Sequence, residues 1–127
     1  MGRVGQLTTE VSVDHRDFPI VRLSGELDMA SYEQAAMVLE SATRHMGPGE
    51  LTIDLSDLTF IDASGVTALV RTHNWAQAAG VRIELRGIHG LVARVLGLCG
   101  VTDVVGTIAT GTEQATVERP GTSGRTP

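Results

Sequence analysis

Two segments of this chain alternate apolar and polar residues with a strict period of two, and a helical pattern lies between them. Leu51, Ile53 and Leu55 alternate with Thr52, Asp54 and Ser56, and Val81, Ile83 and Leu85 alternate with Arg82, Glu84 and Arg86. Because side chains on a strand point to opposite faces in turn, each segment reads as a strand with one dry face. Two strands joined through a helix are parallel neighbours, since the chain must cross back before the second can start. Strands covered on both faces would read as unbroken apolar runs. The pattern therefore predicts an α/β fold with a largely parallel sheet and its helices mainly on one face.

The rest of the chain fills in that frame. Thr9 to Asp14 alternates, Asp14-His15-Arg16-Asp17 supplies turn chemistry, and Ile20 to Ser24 resumes an extended pattern, which predicts an N-terminal hairpin. Tyr32, Ala35, Ala36, Leu39, Ala42 and Met46 recur at helical spacing before Gly47-Pro48-Gly49 stops the run. Asp28 suits the N-cap of that helix and Gly47 its C-terminal cap. Ser56 to Ser64 reads as a connection that packs Leu58, Phe60 and Ile61 inward. A second helix is expected from about Gly65 to Ala79, closed by Gly80. A third, from about Gly90 to Leu98, carries Val92, Val95, Leu96 and Cys99 toward the core, and Val104 to Ile108 reads as a last strand. Arg119 to Pro127 is rich in Gly, Pro, Ser and Thr without periodicity, as expected of a frayed tail.

Composition excludes several classes of function. A chain of 127 residues with 42% hydrophobic content can furnish one core, so one domain is expected. Its apolar runs break well short of the roughly eighteen residues a membrane span requires. Met1 to Gln6 carries no basic start followed by an apolar stretch, so a cytoplasmic location is expected. The lone Cys99 has no internal disulfide partner and no Cys/His cluster around it, so it reads as a small buried residue, and neither metal nor cofactor is expected. A net charge of -5 and an aromatic content of 3% argue against direct nucleic-acid binding. The charge is uneven: Met1 to Asp62 carries 11 acids and 4 arginines, whereas Ala63 to Pro127 carries 4 acids and 6 arginines. The first half is thus either a soluble acidic surface or a patch suited to a basic partner.

The stretch Ile53-Asp54-Leu55-Ser56-Asp57-Leu58-Thr59-Phe60-Ile61-Asp62-Ala63-Ser64-Gly65-Val66 runs from the end of a strand to the start of a helix. Ser64 falls at the positive end of the helix dipole, where backbone N–H groups lack intrahelical partners. It is either a plain N-cap or a hydroxyl at which a phosphate would be stabilised locally. Gly65 leaves room for close approach to the serine backbone. Helical phase turns Trp75 away from Val66, Leu69, Val70 and His73, onto an outer side with Arg71, Thr72 and Ala78. Trp75 is there either an interface anchor or a residue packed on a neighbouring helix.

The run Leu55 to Gly65 resembles the signature of STAS-domain anti-anti-sigma factors (anti-sigma factor antagonists), in which a strand and an aromatic-containing loop lead into Asp-Ser-Ser-Gly or Asp-x-Ser-Gly. Leu23-Ser24-Gly25-Glu26-Leu27-Asp28 is similar to the family's Gly-Glu-Leu-Asp turn, and Val92 to Leu96 followed by Cys99-Gly100-Val101 to its third helix and the step after it. The resemblance covers about residues 8–117, leaving 118–127 as a flexible tail. It implies a STAS fold, a mixed and mostly parallel sheet of about five strands with an N-terminal hairpin and three to four helices. The fourth helix, over Thr112 to Glu118, is expected to be short or frayed, given its Thr and Gly content and Pro120 beyond it. Carried across, the resemblance makes Ser64 the phosphoacceptor, with Ala63 in place of the family's first serine. Asp28 and Asp62 become either helix caps or part of the surface a partner recognises. Thr67 and Arg71 stand where the family often has small residues, which bears on partner identity, and the expected partner-binding set is Asp28, Asp62, Ser64, Gly65, Thr67, Arg71 and Trp75.

The mechanism this resemblance implies is partner switching. The unphosphorylated protein binds an anti-sigma factor of histidine-kinase-like ATPase fold and frees a sigma factor; that partner, acting as a serine kinase, phosphorylates Ser64 and breaks the complex; a serine phosphatase resets it. The alternative is a STAS scaffold or accessory subunit, in a stress-signalling assembly or a lipid-transport complex, that works without phosphorylation. Enzymatic activity is not expected, because there is no Gly-x4-Gly-Lys-Ser/Thr loop, no lysine anywhere in the chain, and no sequence pattern of an activated nucleophile around Ser64.

Overall fold

The computed structural model describes residues 6–44 and 48–100. Five strands and three helices follow one another as β1 (Leu7–Val13), β2 (Pro19–Leu27), α1 (Tyr32–Arg44), β3 (Gly49–Asp54), β4 (Leu58–Ile61), α2 (Ala63–Ala79), β5 (Val81–Arg86) and α3 (Gly90–Leu98). The strands form one mixed sheet in the order β1-β2-β3-β5, with β4 also on β2. β1 pairs antiparallel with β2 as the expected hairpin, turning through Asp14 to Asp17, and every other pairing is parallel. The alternation legible in β3 and β5 sends Leu51, Ile53, Val81, Ile83 and Leu85 into one core with Val21, Leu23, Leu39, Leu69, Val92 and Leu96. The expected cap at Gly47, the strand Val104–Ile108, the fourth helix and the tail lie outside the described residues.

β2 changes partner halfway along. Ile20 to Arg22 pair with Thr52 to Asp54 of β3, whereas Gly25 to Leu27 pair with β4. The switch falls on a register shift between Gly25 and Glu26. Gly25 has φ +100°, and a Cβ there would lie 2.5 Å from the Gln6 carbonyl oxygen, so only glycine fits. The connection after β3 is therefore not a loop with an inward Phe60: Leu58 and Ile61 are buried in a short parallel strand, and Phe60 is 38% exposed. Cys99 is also exposed, rather than buried in the core.

The sheet face away from the core is polar and cross-linked by charge. Register places Glu10, Arg22, Asp54 and Arg86 in one row across four strands, alternating in sign. Asp54 is buried; burial pushes its carboxyl up, but donors from the Ser56 hydroxyl and N–H, with Arg86 and Arg22 at 3.6 Å, hold it below its usual range. Nearby, Glu50 is bonded by Arg82 and Arg16 and lowered to about 2, chiefly by Arg82 and then by a hydrogen bond shared with Glu84. Glu84 is raised, by burial and then by the same neighbour.

The two glutamates thus act on stability with opposite sign. Glu50 contributes stability that is complete above its unfolded value near 4.5 and is lost as pH falls toward about 2. Glu84, raised when folded, favours the native state at low pH and loses that contribution as pH rises. Both arginines are substantially exposed, so the effects are modest. Thermal melts should show Glu50→Gln less stable at pH 7 and shallower in its acid loss between pH 4.5 and 2, with Glu84→Gln not destabilised at pH 7. Identical acid limbs for wild type and Glu50→Gln would contradict this assignment.

Candidate functional site

Three chain segments meet where β2 and β4 end and α2 begins. The Asp62 N–H donates to the Leu27 carbonyl at 3.2 Å, which pins the last residue before α2 onto the end of β2. Asp62 is the N-cap, in extended conformation, and its Oδ1 accepts from the N–H groups of Ser64 at 2.9 Å and Gly65 at 3.2 Å. Ser64 is therefore in the first turn of α2 and not its cap; the helix starts at Ala63, two residues earlier than the sequence pattern suggested. Two of the N–H groups there are already engaged by Asp62. The Ser64 side chain is partly exposed, and among the described residues its hydroxyl enters no hydrogen bond of the protein.

Gly65 is buried, and its place is set by packing from beneath. A Cβ there would lie 2.6 Å from the Leu27 carbonyl oxygen, 2.7 Å from Ile61 Cγ1 and 2.8 Å from Leu27 Cγ. The missing side chain lets the first turn of α2 settle onto the ends of β2 and β4, instead of clearing space above the serine.

Asp28 follows β2 directly and is 4% exposed. Its Oδ1 accepts from the Ala30 N–H at 3.0 Å, and the Ser31 hydroxyl, which donates to the Glu26 carbonyl at 2.7 Å, lies 3.2 Å from the same oxygen. The Asp28 carbonyl also accepts the Tyr32 N–H at 2.8 Å, the bond pattern of an N-cap, so Asp28 caps the short turn that leads into α1 at Tyr32. That turn projects Met29, 73% exposed, beside Phe60. Asp28, Met29, Ala30, Phe60 and Asp62 line an apolar cavity of about 400 Å³. Met29 and Phe60 escaped the sequence reading. No periodicity marks them: Phe60 is expected inward from its apolar neighbours, yet Thr59 and Phe60 are both exposed between buried Leu58 and Ile61.

Along α2, Ser64, Thr67, Arg71 and Trp75 recur at three- and four-residue steps and share one stripe. Thr67 and Arg71 are exposed, Trp75 is half-buried, and the Arg71 guanidinium lies 5.2 Å from the Trp75 ring centroid. Thr72 does not belong on the outer side: it is fully buried, with its hydroxyl donating to the Ala68 carbonyl at 2.9 Å. The structure thus joins Asp28, Asp62, Ser64 and Gly65 at one corner and extends from it along α2 through Thr67 and Arg71 to Trp75. Among the described residues no group of three or more His, Cys, Asp or Glu side chains is arranged to hold a metal ion. Nor is any described helix long and apolar enough to cross a membrane.

A hairpin-led mixed sheet with a helix launched from a capped Asp-Ala-Ser-Gly corner is the STAS architecture. The chain belongs to the STAS domain family, whose model matches residues 9–115. The anti-sigma-F factor antagonist RsfA of Mycobacterium tuberculosis is 29% identical over 111 residues, covering 81% of this chain and 87% of its own. An anti-sigma F factor antagonist of Paenibacillus polymyxa is 26% identical over 91 residues, covering 72% and 78% respectively. The crystal structure of an anti-sigma factor antagonist from Mycobacterium paratuberculosis superposes with a TM-score of 0.69 at 25% identity, over 87% of this chain and 92% of that one.

The corner has two separable supports, a cap and a close contact. Asp62→Ala leaves two first-turn N–H groups without their acceptor and should cost about 0.5 to 2 kcal/mol. Gly65→Ala forces a Cβ into backbone and core atoms and should cost more, about 2 kcal/mol or above. Denaturant unfolding of the two variants measures both; a Gly65→Ala protein as stable as wild type would show that α2 is not seated on Leu27 as described.

Proposed function

We propose that this chain is an anti-sigma factor antagonist that works by partner switching at the Ser64 corner. The observation that carries the reading is the state of Ser64: a partly exposed residue in the first turn of α2, two residues after the capping Asp62, which itself lines an apolar cavity. The names of the relatives support the partner class, an anti-sigma factor. In this reading the partner has a histidine-kinase-like ATPase fold and acts as the serine kinase, and a serine phosphatase reverses the step. The docking surface combines Met29 and Phe60 as apolar anchors with Asp28 and Asp62 at the cavity rim, and continues along Thr67, Arg71 and Trp75 of α2. Gly65 contributes by position, because it seats the serine close to the sheet.

Phosphate on Ser64 brings about -1.5 to -2 charges to a surface that already holds Asp62. The N–H groups of Ser64 and Gly65 are occupied, so the added charge has weaker local compensation than an uncapped helix start would give it. Against an apolar or acidic partner surface, burying that charge costs several kcal/mol, enough to lower affinity a hundredfold or more.

The test begins with the anti-sigma factor recovered by pull-down with this protein as bait, followed by ATP-dependent phosphorylation of wild type and Ser64→Ala and calorimetric binding of each form. Ser64→Ala should take no phosphate and bind constitutively, and Ser64→Asp should bind at least about tenfold more weakly with little change in melting temperature. Stoichiometric phosphorylation of Ser64→Ala would remove Ser64 as the acceptor. Equal affinity of phosphorylated and unphosphorylated protein would remove partner switching.

A further inference from the structure

We propose that β1 is a self-association edge, through which two copies of this chain pair antiparallel about a two-fold axis at Val11. The inference is independent of the Ser64 reading, since β1 lies on the opposite side of β2 from β4.

β1 bonds to β2 along one side; on its other side Gln34 Nε2 donates to the Leu7 carbonyl at 3.3 Å, and among the described residues no strand covers that side. Such an edge offers a row of backbone donors and acceptors to any extended chain. Edges are commonly blunted by lysine, proline, a bulge or short length. β1 has none of these: Leu7–Val13 is seven residues long, pairs with β2 without a break in register, and carries a single charge, Glu10. Val11 and Val13 stand on the core side of the sheet, Val11 directly across from the fully buried Val21, yet they are 57% and 60% exposed. Two neighbouring valines on an edge that no described strand covers form an apolar strip that a matching strip would cover.

The residue pattern selects the occupant and its register. In a two-fold antiparallel pair the axis runs perpendicular to the sheet, so residues facing each other lie on the same face and their numbers share parity. Full overlap of the strand would set Glu10 against Glu10 of the second copy, a like-charge pair that is destabilising. Sliding by two residues in one direction sets Glu10 against Thr8 and leaves Val13 uncovered; sliding by four in the other sets it against Asp14, again like charges. Centring on Val11 sets Val11 against Val11, Thr9 against Val13 and Glu10 against Ser12. That register joins all four valines on one face and brings no acid opposite another. A second copy of this chain is thus the partner whose edge matches in both charge and hydropathy. Five facing positions on each strand give a small interface, with the affinity of a transient dimer.

The test is sedimentation velocity on the full chain over a wide concentration range, with Val11→Lys as the edge variant and circular dichroism to check that it folds. Wild type should shift from monomer to dimer with rising concentration, and Val11→Lys, which sets two ammonium groups face to face, should weaken dimerisation at least about tenfold. For the register, Val11→Cys in a Cys99→Ser background should oxidise to a covalent dimer, whereas Thr8→Cys in the same background should not. A wild type that stays monomeric throughout would overturn the proposal, as would a dimer untouched by Val11→Lys or cross-linking at Thr8→Cys in place of Val11→Cys. Monomer combined with strong amide-exchange protection of β1 would instead assign the edge to another segment of this chain, and would equally overturn it.

Discussion

The end of β2 receives two other elements on one residue. The Leu27 carbonyl accepts the Asp62 N–H, and Gly65 stacks against the same oxygen so closely that a methyl group would not fit. Everything at the candidate site follows from that seating. Asp28 comes directly after Leu27 and folds the turn that exposes Met29; Asp62 is held where its carboxylate can reach the Ser64 and Gly65 N–H groups. The glycine at 25, with its positive φ, lets β2 leave β3 and take up β4, and so sets the height at which Ile61 and Asp62 arrive. Core packing and site geometry are one arrangement here, because Leu27 and Ile61 are fully buried side chains whose backbones carry the site.

Much of this was legible in the residue pattern, and the parts that were not have physical reasons. Period-two alternation in Leu51 to Ser56 and Val81 to Arg86 depends only on one face being dry, so β3 and β5 appeared with their correct faces and α3 with its bounds. β4 was read as a loop because it is four residues long, with two adjacent exposed residues between two buried ones, and so carries no periodicity. The cap chemistry of Asp28 is legible because a short acceptor side chain between a strand and a helical pattern suits that place, and the structure adds the turn that separates it from Tyr32. Helical phase reckoned from Val66, Leu69, Val70 and His73 turns Thr72 outward, whereas the buried face of α2 is Gly65, Val66, Ala68, Leu69, Thr72 and Ala76; the bond to the Ala68 carbonyl lets the hydroxyl bury. The packing role of Gly65 is not legible in the motif, because the atoms it accommodates, on Leu27 and Ile61, are thirty-eight and four residues away in sequence. The resemblance named the serine; the geometry adds that its neighbour Asp62 already occupies the helix start.

Under the proposed switch, that occupancy bears on how a phosphate on Ser64 would act. Attraction to the helix dipole and repulsion from Asp62 are each of order 1 kcal/mol and opposed, small against a domain stability of about 5 to 15 kcal/mol. The core beneath, closed by Leu27, Ile61, Val66 and Leu69, has no reason to reorganise. An interface lacks that reserve, since a charge buried there without a partner costs more than a transient complex can supply. The switch in this account is a change of surface over an unchanged fold. Amide hydrogen exchange on the Ser64-phosphorylated and unphosphorylated protein measures this most directly. The account predicts altered protection confined to residues 62–67, with β2, β3, β5 and the rest of α2 the same in both forms; widespread loss of protection on phosphorylation would show that the switch works by refolding, and would contradict it.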